Sequence, residues 1–266
     1  MEKNICEEIF SQHGNLALVT GASSGIGHQM ALTLAKAGAN LVVVARREDR
    51  LKQLVSEIEA MGRKAYAIVA DLSRDESIDE LLNKVKSQCP RIDVLINNAG
   101  LGKLTPVGSD DHMRSTKFWD LSFQVNLRAP WRIIDGLAQH LIQQKTPVSI
   151  INVASICGLH SVMKSLTAYC ASKSALIQMT RSLVHELSPH GIRINAIAPG
   201  FIATEMTEDI EKHPTLLKKI PLGRLGQCKD LDGLLLYLAS NKASSYATGS
   251  IYTVDGGISV NDLTSL

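Results

Sequence analysis

No stretch of this chain is long and apolar enough to cross a bilayer. The densest run, Leu234 to Leu238, falls far short of the about 20 residues a membrane helix needs. Charge of one sign is equally scarce: the formal net charge is +2 and no block of like charge appears, so nothing favours nucleic acid as a partner. The start, Met1 to His13, carries Glu7 and Glu8 and no apolar core, so no signal peptide is expected. Cysteines are few and scattered. Cys6, Cys89, Cys157, Cys170 and Cys228 are odd in number and include no Cys-x-x-Cys pair, which points to reduced thiols in the cytoplasm and against disulfides or a zinc site. The eight histidines show no ligand spacing, so no metal is expected. Nor does a linker, repeat or low-complexity tract divide the 266 residues, which predicts one domain over 1–266 with residues 1–14 as an extension ahead of it. What is present is globular material, 45% hydrophobic and 20% charged, sufficient to bury a core.

The clearest local signal lies near the start. Leu16 to Thr20 is a short apolar run, followed by Gly21, Ala22, Ser23, Ser24, Gly25, Ile26 and Gly27, then by an amphipathic stretch from His28 to Ala37 that stops at Gly38. Strand, glycine turn and helix in that order predict a phosphate cradle, because glycine lets the anion approach the backbone and the helix offers it free amides. The bland alternative is a plain strand-to-helix turn. Asn40 to Ala45 reads as a second buried strand and leads into Arg46 and Arg47. A dinucleotide site often places an acid ~20 residues past the glycines to hold the ribose hydroxyls of NAD. Ala45 stands there instead, and an arginine beyond it suits a 2′-phosphate through its planar, multi-donor fork. NADP is therefore expected over NAD, the alternative being that both arginines cap a solvated loop.

Further along, Glu48 to Met61 reads as helix, Lys64 to Ala70 as strand closed by Asp71 and Leu72, Asp75 to Gln88 as helix, and Ile92 to Ile96 as strand ending in Asn97, Asn98, Ala99 and Gly100. Leu101 to Thr116 is a polar loop, expected at the rim of a substrate cleft. A long helix follows from Lys117 to Gln144, containing Asn126 and bent at Pro130. Val148 to Val153 is a strand leading to Ser155; a helix from Tyr169 to Leu187, a strand from Ile192 to Ala198 and the pair Pro199-Gly200 come next. Residues 199–226, broken by Pro, Gly and charge, read as a mobile lid over the substrate. A helix from Lys229 to Ser240 and a strand from Ser250 to Val254 complete the chain before Asp255-Gly256-Gly257. Strands alternating with helices predict an α/β fold: a single-domain, Rossmann-type doubly wound parallel sheet with helices on both faces. Its ligand crevice should open at the carboxyl ends of the strands.

Tyr169 and Lys173 stand one helical turn apart, hence on one face. A free phenol titrates near pKa ~10, and an ammonium held beside it favours the phenolate, so the pair could exchange a proton with a substrate oxygen. Taken alone the spacing is common, and a half-buried Tyr with a solvated Lys is the plainer reading.

The ordered set Thr20-Gly21, Gly25-Ile26-Gly27, Asp71, Asn97-Asn98-Ala99-Gly100, Asn126, Ser155, Tyr169 with Lys173, Pro199-Gly200 and Asp255-Gly256-Gly257 resembles the classical short-chain dehydrogenases/reductases from Leu16 to Gly257. The resemblance implies an NAD(P)-dependent oxidoreductase that interconverts a ketone and a secondary alcohol. Tyr169 would be its general acid/base, and Lys173 would lower the Tyr169 pKa and hold the nicotinamide ribose. Ser155 would hydrogen-bond the substrate oxygen, and Asn126 would support a water that relays protons to Lys173; plainer roles are a strand-end cap for Ser155 and a backbone partner for Asn126. It implies cofactor contacts from Gly21, Ser23, Ser24, Gly25, Ile26 and Gly27 at the pyrophosphate and adenosine side, and from Arg46 and Arg47 at the 2′-phosphate. Asp71 and Leu72 would meet the adenine, and Asn98, Ala99 and Gly100 the ribose. Beyond Pro199 and Gly200, Ile202 and Thr204 would reach the nicotinamide amide. His160, Val162, Met163 and Met206 are candidates for the substrate pocket wall, each as readily plain packing. In that family the two long helices, here Lys117 to Gln144 and Tyr169 to Leu187, pair across subunits, so the resemblance also implies a homotetramer.

Two departures stand out. Ser155 lies fourteen residues before Tyr169, about one more than the family's usual spacing, which leaves Ser161 and Ser165 as remote rivals. The Leu101 to Thr116 loop is also longer than usual. Of the family's substrates, a small ketone, sugar or alcohol is favoured over an acyl-carrier-bound 3-oxo group, because the second long helix ends in Ser188-Pro189-His190, where only a partly charged histidine could meet an acidic carrier. Lys145 could serve that purpose at the first helix. Rival readings are a catalytically silent dinucleotide-binding regulator and an epimerase or dehydratase that uses the redox step transiently.

Overall fold

The computed structural model describes residues 4–108, 112–160, 164–208 and 217–260, without the side chains of 112–114. Seven strands, β1 (Leu16–Thr20), β2 (Asn40–Ala45), β3 (Ala65–Val69), β4 (Val94–Asn97), β5 (Val148–Val153), β6 (Ile192–Pro199) and β7 (Ile251–Val254), form one sheet in the order β3-β2-β1-β4-β5-β6-β7. Every pairing is parallel. The near-continuous apolar runs of the central strands follow from burial on both faces.

Alternate side chains of each strand feed opposite layers. Ala17 and Val19 of β1 with Leu41 and Val43 of β2 pack on one side, against α2 (Gly25–Lys36), α3 (Glu48–Ala60) and α9 (Asp232–Ala239) through Leu34, Leu54, Ile58 and Leu235. Leu18, Val42 and Val44 face the other way, onto α4 (Asp75–Gln88) and α6 (Ala129–Gln143) through Ile78, Leu81, Ile133 and Leu137. Because β1 lies between β2 and β4, the winding reverses there, and a crevice opens where the two strands end. The doubly wound reading is correct.

Several boundaries differ from the sequence reading. The expected continuous helix from Lys117 to Gln144 is interrupted: α5 (His112–Phe123) runs into a wide π segment, Gln124–Arg128, and α6 then starts with Pro130 in its first turn, where its missing N–H costs nothing. The irregularity is therefore the π segment that carries Asn126, and Pro130 is a helix starter. The Tyr169 helix begins two residues early as α7 (Thr167–Ser182). It breaks at Leu183, resumes as α8 (Val184–Leu187), and ends in a 3₁₀ turn closed by Gly191 at φ 73°. A short helix α1 (Ile5–Phe10) precedes β1, and α10 (Asn241–Ser244) follows α9. Ser240 Oγ ties the junction of α9 and α10 to α1 by donating to the Ile9 carbonyl at 2.5 Å. Of the expected lid, residues 209–216 lie outside the described residues; its ends meet in an Ile202–Gly226 bridge. Among the described residues no helix is long and apolar enough to cross a membrane.

Candidate active site

At the strand ends lies a cleft of about 470 Å3. Its phosphate end is made by the turn between β1 and α2. Gly21 and Gly25 adopt φ of +68° and +57°, a conformation glycine reaches without strain. Ser24 occupies the N-cap of α2, yet its side chain makes no cap bond, and the helix has no acid in its first turn. The first amides of α2 are thus left for an anion, which the dipole there favours. A Cβ on Gly21 would lie 2.8 Å from the Ala99 backbone, and one on Gly27 2.3 Å from Asn98 Nδ2. Gly27 therefore works by packing: it admits the Asn98 amide, which donates to the carbonyls of Thr20 at 3.0 Å and Gly21 at 3.3 Å. This turn has the shape and the free donors that a pyrophosphate requires, so the cradle fits the expected group.

Arg46, Arg47, Asp71, Leu72, Asn98, Ala99 and Gly100 line the same cleft. Arg47 donates from Nε to Ser23 Oγ at 3.2 Å, from Nη2 to Ser24 Oγ at 2.6 Å and from Nη1 to Glu205 Oε2 at 2.9 Å. Arg50 is also bound to Glu205, and hydrogen bonds from Arg50 and Arg47 hold that carboxyl down at about 2. Burial raises the Asp71 carboxyl, but bonds from the Ser73 amide at 3.0 Å and hydroxyl at 2.8 Å, with the charges of Arg46 and Arg74, outweigh it and leave its pKa below the usual range.

The other end of the cleft gathers Ser155, Tyr169 and Lys173 with Pro199 and Gly200; Ile202, Thr204 and Met206 also line the cleft, Thr204 beside Gly25 of the cradle. Ser155 caps a 3₁₀ turn, Ile156–Gly158, and accepts from the Cys157 amide at 3.1 Å. Gly158 lets that turn close on α7: a Cβ there would lie 2.8 Å from the Lys173 carbonyl carbon, and Ser174 Oγ donates to the Gly158 carbonyl at 2.8 Å. Lys173 is buried, donates to the Val153 carbonyl at 2.8 Å, and holds its ammonium 5.9 Å from the centre of the Tyr169 ring. Desolvation pulls its pKa down to about 8. The expected acidification of Tyr169 is not what this environment produces. Burial pushes the phenol up to about 12, and the opposing pull comes from a hydrogen bond with Ser155. Tyr169 thus keeps its proton at neutral pH.

Asn126 is buried in the π segment and does not line the cleft; it pins the loop after β4. Its Oδ1 accepts from the Leu101 amide at 2.9 Å, while Nδ2 donates to the Leu101 carbonyl at 2.9 Å and to Ser172 Oγ at 3.0 Å. The backbone-partner role is visible directly, with a loop as the partner.

The family model for the short chain dehydrogenases matches residues 15–215. The chain belongs to this family. Over 250 residues this short-chain dehydrogenase is 36% identical to a 3-oxoacyl acyl-carrier-protein reductase of Thermotoga maritima, covering 92% of this chain and 98% of that one. It is 36% identical over 253 residues to a 2-dehydro-3-deoxy-D-gluconate 5-dehydrogenase of Escherichia coli, covering 93% and 96%. Among solved structures, a gluconate 5-dehydrogenase of Burkholderia cenocepacia in complex with NADP and tartrate superimposes with a TM-score of 0.88 at 28% identity, covering 97% of this chain and 100% of that one.

Not every expected residue reaches the cleft. His160 is exposed and lies near Asp255, outside the lining; Val162, Met163 and Ser161 lie outside the described residues. Ser165 sits at φ 63° and accepts from the Thr105 amide at 2.7 Å, also outside this cleft, which leaves Ser155 without a rival among the described residues. Thr20 and Glu205 were missed as site residues. Thr20 Oγ1 accepts from the Asn98 and Ala99 amides at 3.0 and 3.1 Å, joining the ends of β1 and β4. Its place as the last residue of a strand before glycine was the available signal. Glu205 had none, because a surface acid in a polar stretch looks like any other.

Proposed function

We propose that this short-chain dehydrogenase interconverts a ketone and a secondary alcohol with NADP as coenzyme and Tyr169 as the proton carrier. The observation that carries the reading is one cleft with a phosphate cradle and two arginines at one end and Ser155, Tyr169 and Lys173 at the other. When bound, the nicotinamide supplies the hydride or accepts it. Ser155 orients the substrate oxygen and offers it a hydrogen bond as charge develops there. Tyr169 gives up its proton to that oxygen in reduction and takes it back in oxidation. The Lys173 ammonium, largely charged at neutral pH with its pKa near 8, favours the phenolate left behind and holds the ribose hydroxyls. Ile202 and Thr204 would position the nicotinamide amide, and Met206 the substrate.

Arg46 and Arg47 at the cleft mouth support the NADP preference, as does the likeness to a neighbour whose structure holds NADP. The substrate we favour is a small ketone, keto sugar or alcohol; a 3-oxoacyl thioester is the second choice, since relatives named for each are equally similar. We also assign a homotetramer: Trp119 and Trp131, on α5 and α6, are part-exposed apolar side chains suited to subunit pairing. Sedimentation giving a monomer would refute that assignment.

The reading is tested by incubating the protein with NADPH and a panel of small ketones, keto sugar acids and an acetoacetyl thioester, following loss of the reduced coenzyme. Oxidation with a keto sugar or small ketone and none with the thioester is expected. Turnover of the thioester alone would reverse the substrate choice, tight NADPH binding with no turnover would favour a regulator, and conversion without net NADPH oxidation would favour an epimerase or dehydratase.

A further inference from the structure

Glu205 stands where its charge conflicts with the proposed coenzyme. It lines the cleft at the phosphate end, and its two carboxylate oxygens are divided between Arg47 and Arg50. Every nitrogen of the Arg47 guanidinium is occupied: Nε by Ser23, Nη2 by Ser24 and Nη1 by Glu205. Ser23 and Ser24 are neutral parts of the turn that leads into α2, whereas Glu205 is an anion brought in from the segment after β6. That segment is shaped to deliver it. Thr207 Oγ1 donates to the Ile202 carbonyl at 2.6 Å and accepts from the Thr204 amide at 2.9 Å, closing a tight turn with Glu205 on it. The Thr204 methyl would meet a Cβ on Gly25 at 3.2 Å, so the turn rests directly on the glycine cradle.

We propose that Glu205 is a specificity-determining residue, an internal anion that competes with the 2′-phosphate of NADP for Arg47 and Arg50 and so limits how strongly the chain prefers NADP over NAD. The proposal rests on the NADP reading above. With Glu205 in place, two guanidiniums face one carboxylate, and an incoming phosphate dianion must displace that carboxylate or lie beside it. Either route costs affinity that NAD, which has no 2′-phosphate, does not lose. Arg46 also lines the cleft, and the Asp71 side chain feels its charge; it remains the arginine outside this contest.

The test measures dissociation constants of NADPH, NADH, 2′,5′-ADP and 5′-AMP by calorimetry for the wild type and Glu205→Gln, which keeps the shape and removes the charge. Thermal unfolding checks that the variant is folded, as a half-exposed side chain leads one to expect. NADPH and 2′,5′-ADP should bind about fivefold tighter to the variant, the scale of an exposed ion pair released, while NADH and 5′-AMP stay within about twofold. If the wild type prefers NADPH but Glu205→Gln binds it no tighter, or more weakly, Glu205 positions the arginines and does not compete for them, and the proposal fails. If neither the wild type nor Glu205→Gln binds NADPH tighter than NADH, the NADP reading itself fails and takes the proposal with it.

Discussion

Lys173 donates to the Val153 carbonyl at 2.8 Å with its ammonium inside the protein, and no carboxylate is among the groups that perturb its pKa. A buried ammonium with no carboxylate partner among the described residues costs stability, which predicts a pH signature. The Lys173 pKa falls from 10.5 to about 8, so its penalty is fully present below pH 8 and is relieved as pH rises to 10.5. Tyr169 is shifted the other way, from 10.0 to about 12, and contributes stability that is present below pH 10 and lost as pH climbs through 12. Lys173→Met in the coenzyme-free protein should therefore be more stable than wild type at neutral pH by about 1–2 kcal/mol, after allowing for the orphaned Val153 carbonyl. Urea unfolding should show the gap closing between pH 8 and pH 10.5. A less stable variant at neutral pH would contradict the origin assigned to the shift.

Arg46→Asp should move coenzyme preference toward NADH by at least about tenfold in the ratio of kcat/KM values, since it replaces a cation suited to phosphate with an anion suited to ribose hydroxyls. Steady-state kinetics with both coenzymes decides it. An unchanged ratio would make the arginine part of the solvated rim only.

Gly158→Ala places a methyl 2.8 Å from the backbone of Lys173, and a neighbouring backbone cannot yield as a side-chain tip would. The expected cost is about 1–3 kcal/mol of stability by denaturant unfolding. Catalysis should fall while NADPH affinity holds, because the turn carrying Ser155 is pushed from α7 and the glycine cradle is untouched.

Asn126→Asp exchanges the amide that donates to the Leu101 carbonyl and Ser172 for an acceptor. The lost bonds should cost about 1–3 kcal/mol, read as a shift in the urea midpoint. Asn126→Ser, small enough to fit but unable to span both partners, should recover only part of it.

The fold was largely legible because its strands are buried on both sides: uninterrupted runs such as Leu41 to Val44, ended by charge or glycine, leave little room for another reading. The break at Gln124–Arg128 was not legible, since a π turn leaves no mark in periodicity, and Pro130 drew the bend to itself. Of the site, the Tyr169-Lys173 pair and the Gly21–Gly27 turn are local in sequence and could be read. Their electrostatics could not: the burial that raises Tyr169 and lowers Lys173 arises from segments far apart in the chain. Glu205 escaped for the same reason, being 158 positions from the Arg47 it binds.

The most direct test of the central claim is Tyr169→Phe, assayed for NADPH-dependent reduction of whichever ketone the wild type turns over and, separately, for NADPH binding. Removing only the phenolic oxygen should lower kcat/KM by at least about a hundredfold while the NADPH dissociation constant stays within about twofold. A variant that keeps most of its turnover with NADPH still bound would show that the proton comes from elsewhere, and the mechanism proposed for this site would be wrong.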